Sequence, residues 1–84
     1  MDLTECGTGA RATIVGLDVP ERAGFRLREL GLRPGAVVEV THDVGPTGRV
    51  VAVGAERFAL DLPTCSAVRV EPVRVEAVRE EVAP

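Results

Sequence analysis

The run Arg28-Glu29-Leu30-Gly31-Leu32-Arg33-Pro34-Gly35 constrains this chain more than any other stretch. It spells the end of a helix, its stop signal and the turn that launches a strand. Gly31 has no Cβ and can take the left-handed conformation that ends a helix. Leu32 then folds back onto the last helical turn. Pro34 fixes its own φ and has no N–H to donate, so the helix cannot resume. Pro34-Gly35 suits the two central positions of a type II turn. One helix ends here, and everything after Gly35 has the pattern of β-structure.

At 84 residues the chain is one domain, and it must fill a small core efficiently. With 45% hydrophobic and 27% charged residues, it has the composition of a folded soluble domain. Val dominates the apolar set and favours strands, because its branched Cβ suits the pleat. The net charge is -3, and all 10 basic residues are Arg. A mildly acidic chain gains little from counterion release, so nucleic acid is not an expected partner. With no Trp, no Tyr and only Phe25 and Phe58, base-stacking platforms and proline-peptide grooves are disfavoured as well. The first five residues lack the basic and apolar regions of a secretion signal, and no apolar run is long enough to span a bilayer. A cytoplasmic protein without membrane insertion is the expectation.

Leu3 and Cys6 stand three apart, so one helical turn places them on the same side. Gly7-Thr8-Gly9 is a turn. Ala10 to Leu17 reads as the first strand, with Ala10, Ala12, Ile14 and Gly16 on one face. Asp18 is the expected N-cap of a helix over 20–30, with Pro20 in its first turn and Glu21 at its positive end. Ala23, Leu27 and Leu30 form the expected inner stripe, and Phe25 falls off it. Strands follow at 37–41, 49–53, 57–62 and 67–71. The loop 42–48 joins the second to the third, and Pro63 to Ser66 forms a one-turn 3₁₀ connector between the fourth and fifth. Pro72 closes the domain at residues 1–72, leaving 73–84 as an added edge strand or a mobile tail. The predicted fold class is mainly β: a small SH3-like barrel of about five strands, closed on itself, with one α-helix inserted after the first strand and plugging it.

Chemistry is sparse. His42, the one histidine, adjoins Asp43, and the pair could bind a metal or move a proton. A metal site needs three or four converging ligands, however, and no second His exists, so a solvated loop pair is the better reading. Cys65 in Pro63-Thr64-Cys65-Ser66 has no base placed beside it, and Cys6 follows Leu3 at helical spacing. Both read as buried thiols. The glycine pairs lack the Lys and the strand-to-helix context of a phosphate loop. No catalytic constellation is present and no cofactor is expected.

The run from Leu27 to Val40, with Leu30-Gly31-Leu32-Arg33-Pro34-Gly35 at its centre, resembles the signature of the FeoA family. Phe58 to Val70 resembles the family's second marker, a short strand, a small connector and a V-x-V strand. Leu3, Cys6, Gly9 and Ile14-Val15-Gly16-Leu17 fit its opening strand, with Cys6 where a Leu is usual. The resemblance covers roughly residues 3 to 71. It implies an SH3-like cytosolic accessory protein of bacterial ferrous iron uptake that docks on the cytosolic part of FeoB, the membrane transporter. The same domain ends iron regulators of the diphtheria-toxin-repressor type, but this chain has no room for their other parts. The expected contact surface is Phe25, Arg26, Arg28, Leu32 and Arg33, an exposed aromatic among arginines. The alternative is that Phe25 and Leu32 simply seal the helix to the barrel. Two other functions compete: an Fe(II)-binding sensor or carrier using His42, Asp43 and the cysteines, and a self-associating module that pairs through Val-rich edges.

Overall fold

The computed structural model describes residues 1–73. The expectation for residues 74–84, an edge strand or a mobile tail, lies outside the described residues. Five antiparallel strands form the body: β1 (Arg11–Leu17), β2 (Val37–Asp43), β3 (Gly48–Val53), β4 (Glu56–Asp61) and β5 (Val68–Pro72). Helix α1 (Glu21–Glu29) follows β1, and α2 (Leu62–Ala67) joins β4 to β5. The order across the sheet is β4-β3-β2-β1-β5. The single inserted helix and the five-strand mainly-β pattern are therefore as predicted.

Closure is not. The terminal strands of the sheet, β4 and β5, do not hydrogen-bond to each other. The connector between them is α2, six residues of α-helix rather than a 3₁₀ turn, capped by Asp61, whose side chain accepts a bond from the Thr64 N–H at 2.8 Å. A helix in that place uses its own backbone groups internally and cannot complete the ladder. Leu62, expected on the fourth strand, becomes the first residue of α2 for the same reason.

The core follows from alternation. In β1, Ala12, Ile14 and Gly16 turn inward while Arg11 and Val15 face out. Val38 and Val40 from β2, Val51 from β3, and Val68 and Val70 from β5 meet Ile14 with no more than 1% of their surfaces exposed. Each such burial contributes about 1.5–3 kcal/mol. The N-terminal segment closes one end. Asp2 and Glu5 form a capping box around the 3₁₀ turn Leu3–Glu5, and that turn drives Leu3 and Cys6 into the core. The Met1 carbonyl then accepts the Val70 N–H at 2.8 Å, and Asp2 bridges Arg69, so the N-terminus lies along the outer side of β5.

The helix stop has the predicted form. Gly31 adopts φ +97 and Gly35 φ +95. The Leu32 N–H reaches back to the Leu27 carbonyl at 2.9 Å and the Gly31 N–H to that of Arg28 at 3.0 Å, the paired bonds of a Schellman motif. The Ala36 N–H closes the Pro34-Gly35 turn on the Arg33 carbonyl at 3.0 Å.

Two details of α1 differ from expectation. Asp18 does not cap it. The capping position is Pro20, with no side-chain bond, and Asp18 instead pairs with Arg69 at 3.2 Å. The inner stripe is Gly24 and Leu27, whereas Ala23 and Leu30 are exposed. A nine-residue helix with two buried positions does not plug the sheet. The Schellman fold-back supplies that role instead, because it delivers Leu32 into the core with no exposed surface.

Candidate functional site

Helix α1 buries its smallest residue, Gly24, and one leucine, Leu27, the latter in the core. Viewed down the axis, Arg22, Phe25, Arg26 and Glu29 fall opposite Gly24 and Leu27, at the three- and four-residue spacings that define one face. Phe25 is 58% exposed, and Leu30 at the end of the helix is 43% exposed. For an apolar ring that is a large area left in water. The segment from Glu21 to Arg33 carries four arginines against two glutamates, so its local charge is opposite in sign to that of the whole chain.

These arginines make no ion pair and no side-chain hydrogen bond among the described residues. Among the described residues the ion pairs are Arg49–Asp43 and Arg69–Asp18, and none involves Arg22, Arg26, Arg28 or Arg33. Arg28 lies on the flank of α1. Its guanidinium reaches back over Gly24, where a methyl group would lie 3.2 Å from Nη1. Arg33 stands exposed in the turn after the helix. Four of the five residues expected to form a contact surface are thus exposed on one helix and the turn that ends it. Leu32 is the correction: the Schellman bonds draw it fully inside, so it cannot touch a partner.

His42 and Asp43 do not converge. Both belong to the end of β2 rather than to the loop, and successive strand residues face opposite ways. The His42 Nδ1 lies 3.1 Å from the Thr41 hydroxyl. The Asp43 Oδ1 takes the Arg49 Nη1 at 3.2 Å and the Gly45 N–H at 2.9 Å. No group of three or more His, Cys, Asp or Glu side chains is placed to hold a metal ion among the described residues. Both cysteines are buried free thiols, each turned towards a backbone carbonyl: Cys6 to Asp2 and Cys65 to Leu60. Burial pushes both thiols above the ordinary cysteine range, and the Asp2 carboxylate adds to this at Cys6.

One arginine matters that the sequence reading passed over. Arg49 has a side chain only 10% exposed. It donates to the carbonyls of Gly48, Gly45 and Thr4 at 2.9, 3.2 and 3.4 Å, while its Nε–H finds no partner among the described residues. The signal was present: Arg49 shares the parity of Val51, whose face is buried, so alternation points it inward. An open cleft of about 650 Å³ lies beside it, lined by Thr4, Asp43, Pro46, Leu62 and Pro63 among others. With its positive charge met by Asp43 and most of its donors by carbonyls, Arg49 binds the N-terminal turn and the β2–β3 loop together.

Residues 1–72 match the model of the FeoA domain. No curated protein sequence matches the chain. Among solved structures, the crystal structure of an iron uptake regulatory protein, FeoA, is 27% identical over 87% of this chain and 97% of its own, with a TM-score of 0.80. Stenotrophomonas maltophilia FeoA complexed with zinc, described as a procaryotic SH3 domain protein and put forward as a ferrous iron transport activating factor, is 32% identical over 84% of this chain and 89% of its own, at TM-score 0.74. The FeoA protein of Chlorobium tepidum is 21% identical over 90% of this chain and 73% of its own and shares the fold at TM-score 0.82.

Proposed function

This chain belongs to the FeoA family, and from that premise we propose that it is a non-enzymatic accessory protein of ferrous iron uptake, docking on the cytosolic part of a FeoB-type transporter. The observation that supports the docking is the outer face of α1. A helix held down by Gly24 and Leu27 alone presents Phe25 to solvent beside Arg26, Arg28 and Arg33, which have no ion-pair partner among the described residues. Exposed aromatics and arginines of this kind are the residues that dominate binding energy when a partner covers them. The local positive charge suits an acidic partner surface and speeds the encounter. No helix among the described residues is long and apolar enough to cross a membrane, which agrees with a protein that meets its transporter from the cytoplasmic side.

The role of such a protein is conformational. Binding biases the transporter only by the difference between its affinities for two transporter states. No nucleophile, base or cofactor is needed for this, and the buried protonated thiols of Cys6 and Cys65 fit an inert interior.

Capture by the purified cytosolic domain of the cognate FeoB-type transporter tests the proposal. Arg28→Glu and Phe25→Ser should each weaken capture by about tenfold or more while leaving the fold intact. Undiminished capture of both variants removes this face from the account. A metal-carrying role is separated by anaerobic Fe(II) titration of the isolated protein: docking expects no saturable uptake.

A further inference from the structure

The two outer strands of the sheet are treated differently. The outer side of β5 is covered by the protein's own N-terminus, through the Met1 carbonyl and the Asp2–Arg69 bridge. Strand β4 ends the sheet order with no strand on its outer side among the described residues. An unpaired strand is normally guarded by charged side chains, a proline, a bulge or its own shortness. Strand β4, Glu56-Arg57-Phe58-Ala59-Leu60-Asp61, has no proline, and its pairing with β3 runs without a register shift from Val53↔Glu56 to Gly48↔Asp61. Its charges, Glu56, Arg57 and Asp61, are of both signs, so they repel a second strand only where like meets like.

The free hydrogen-bonding groups can be assigned. The turn between β3 and β4 has two residues, Gly54 and Ala55, with Gly54 at φ +60 and Ala55 on the negative side. In such a hairpin the closing pair, Val53 and Glu56, exchanges both backbone bonds. Alternation then makes Phe58 and Leu60 the hydrogen-bonded partners of β3, and turns the backbone groups of Arg57, Ala59 and Asp61 outward.

We propose that β4 pairs antiparallel with β4 of a second copy of this chain, about a two-fold axis through Ala59. That register is the one in which Arg57 of each copy faces Asp61 of the other while Ala59 faces Ala59. On the opposite surface Phe58 lies across from Leu60, which each copy already buries in its own core. Arg57, Ala59 and Asp61 are all exposed in the single chain and Phe58 is half-buried; the Asp61 Oδ1 caps α2 through the Thr64 N–H, which leaves its other oxygen to meet Arg57 of a second copy. A shift by two residues in either direction breaks the charge match. The contact is isologous, each copy offering the same strand, so it closes at a dimer. It leaves the outer face of α1 uninvolved and does not depend on the docking proposal.

Sedimentation velocity of the isolated full chain over a concentration series up to about 1 mM reads the outcome, with no transporter present. The expected result is a reversible dimer that weakens with salt. Arg57→Glu sets like charges opposite each other at two symmetric places and should weaken the dimer by about tenfold. Ala59→Pro removes an N–H that faces outward, so the single chain keeps its ladder to β3 while the dimer loses its central pair. The second variant keeps the test decisive should the first misfold, as judged by circular dichroism. A chain that stays monomeric throughout, or a dimer that tolerates whichever variants fold, overturns the proposal.

Discussion

Arginine does opposite things at the β2–β3 end of this molecule and on the outer face of α1. Arg49 is nearly buried, and its guanidinium is surrounded by Asp43 and by the carbonyls of Thr4, Gly45 and Gly48. Arg22, Arg26, Arg28 and Arg33 stand in water around an exposed Phe25. The charge is the same, but Arg49 is directed at the fold's own backbone and the others at nothing within the described residues. The difference separates an arginine that holds the fold from arginines that do not, and under the proposed docking it predicts which substitutions harm stability and which harm binding.

The largest effect should come from the backbone beside the clasp. Gly48 has φ +143, and a methyl group there would run into the Leu60 carbonyl and lie 2.9 Å from the Asp61 Cα. Neither backbone group can swing aside. Gly48→Ala should therefore lower stability by about 3 kcal/mol or more in urea denaturation. A loss under about 1 kcal/mol would show that the β3–β4 end yields easily, and would weaken the contrast with α1.

Next comes the direct comparison of arginines. Arg49→Ala strips bonds from three carbonyls and leaves Asp43 without its cation, at a cost of about 2 kcal/mol. Arg26→Ala and Arg33→Ala should each stay within about 0.5 kcal/mol of the parent, since both are exposed and neither has an ion-pair partner among the described residues. Equal losses at all three sites, measured by the same denaturation, would erase the distinction.

The smallest effect lies in acid. The Thr64 side chain and its backbone N–H, the latter 2.8 Å from Oδ1, hold the Asp61 carboxyl below the ordinary aspartate range. A lowered folded value means that the ionised form is the one the fold favours. The resulting stability is present above the unfolded aspartate value of about 3.9 and is lost as pH falls through the lower folded one. Asp61→Asn keeps a capping oxygen but removes the titration, so its stability should fall less steeply below about pH 4 than that of the parent. An unchanged acid limb would place the cap outside the pH response.

Much of this architecture was legible because it rests on local rules. Gly31, Pro34 and Gly35 announce the helix stop and turn through backbone geometry alone, and the alternating valines announce the strands and their inner faces. Closure was not legible. It turns on whether the first and last strands of the sheet, β4 and β5, pair with each other, which no local pattern in either strand or in the connector between them announces. The inner stripe of α1 differs because leucine spacing favours Ala23, Leu27 and Leu30, whereas the helix buries Gly24, which lies against Val19 and under the Arg28 side chain. The fold-back of Leu32 after Gly31 is legible, but not its depth: folding back onto the last helical turn suits a residue on the rim as well as one inside, and here it ends with no exposed surface. At the candidate site, Phe25 and Arg26 could be read from helical periodicity. Arg49 was missed because an arginine on an apolar face looks like an exception until its carbonyl partners are in view.

The sharpest test of the proposed docking face is amide hydrogen exchange on the whole protein, alone and with the cytosolic domain of a FeoB-type transporter. The account predicts new protection along Glu21–Glu29 and through the turn to Arg33, with the amides from Asp43 to Arg49 unchanged. Protection gained around Asp43 to Arg49, with α1 exchanging as it does alone, would contradict it.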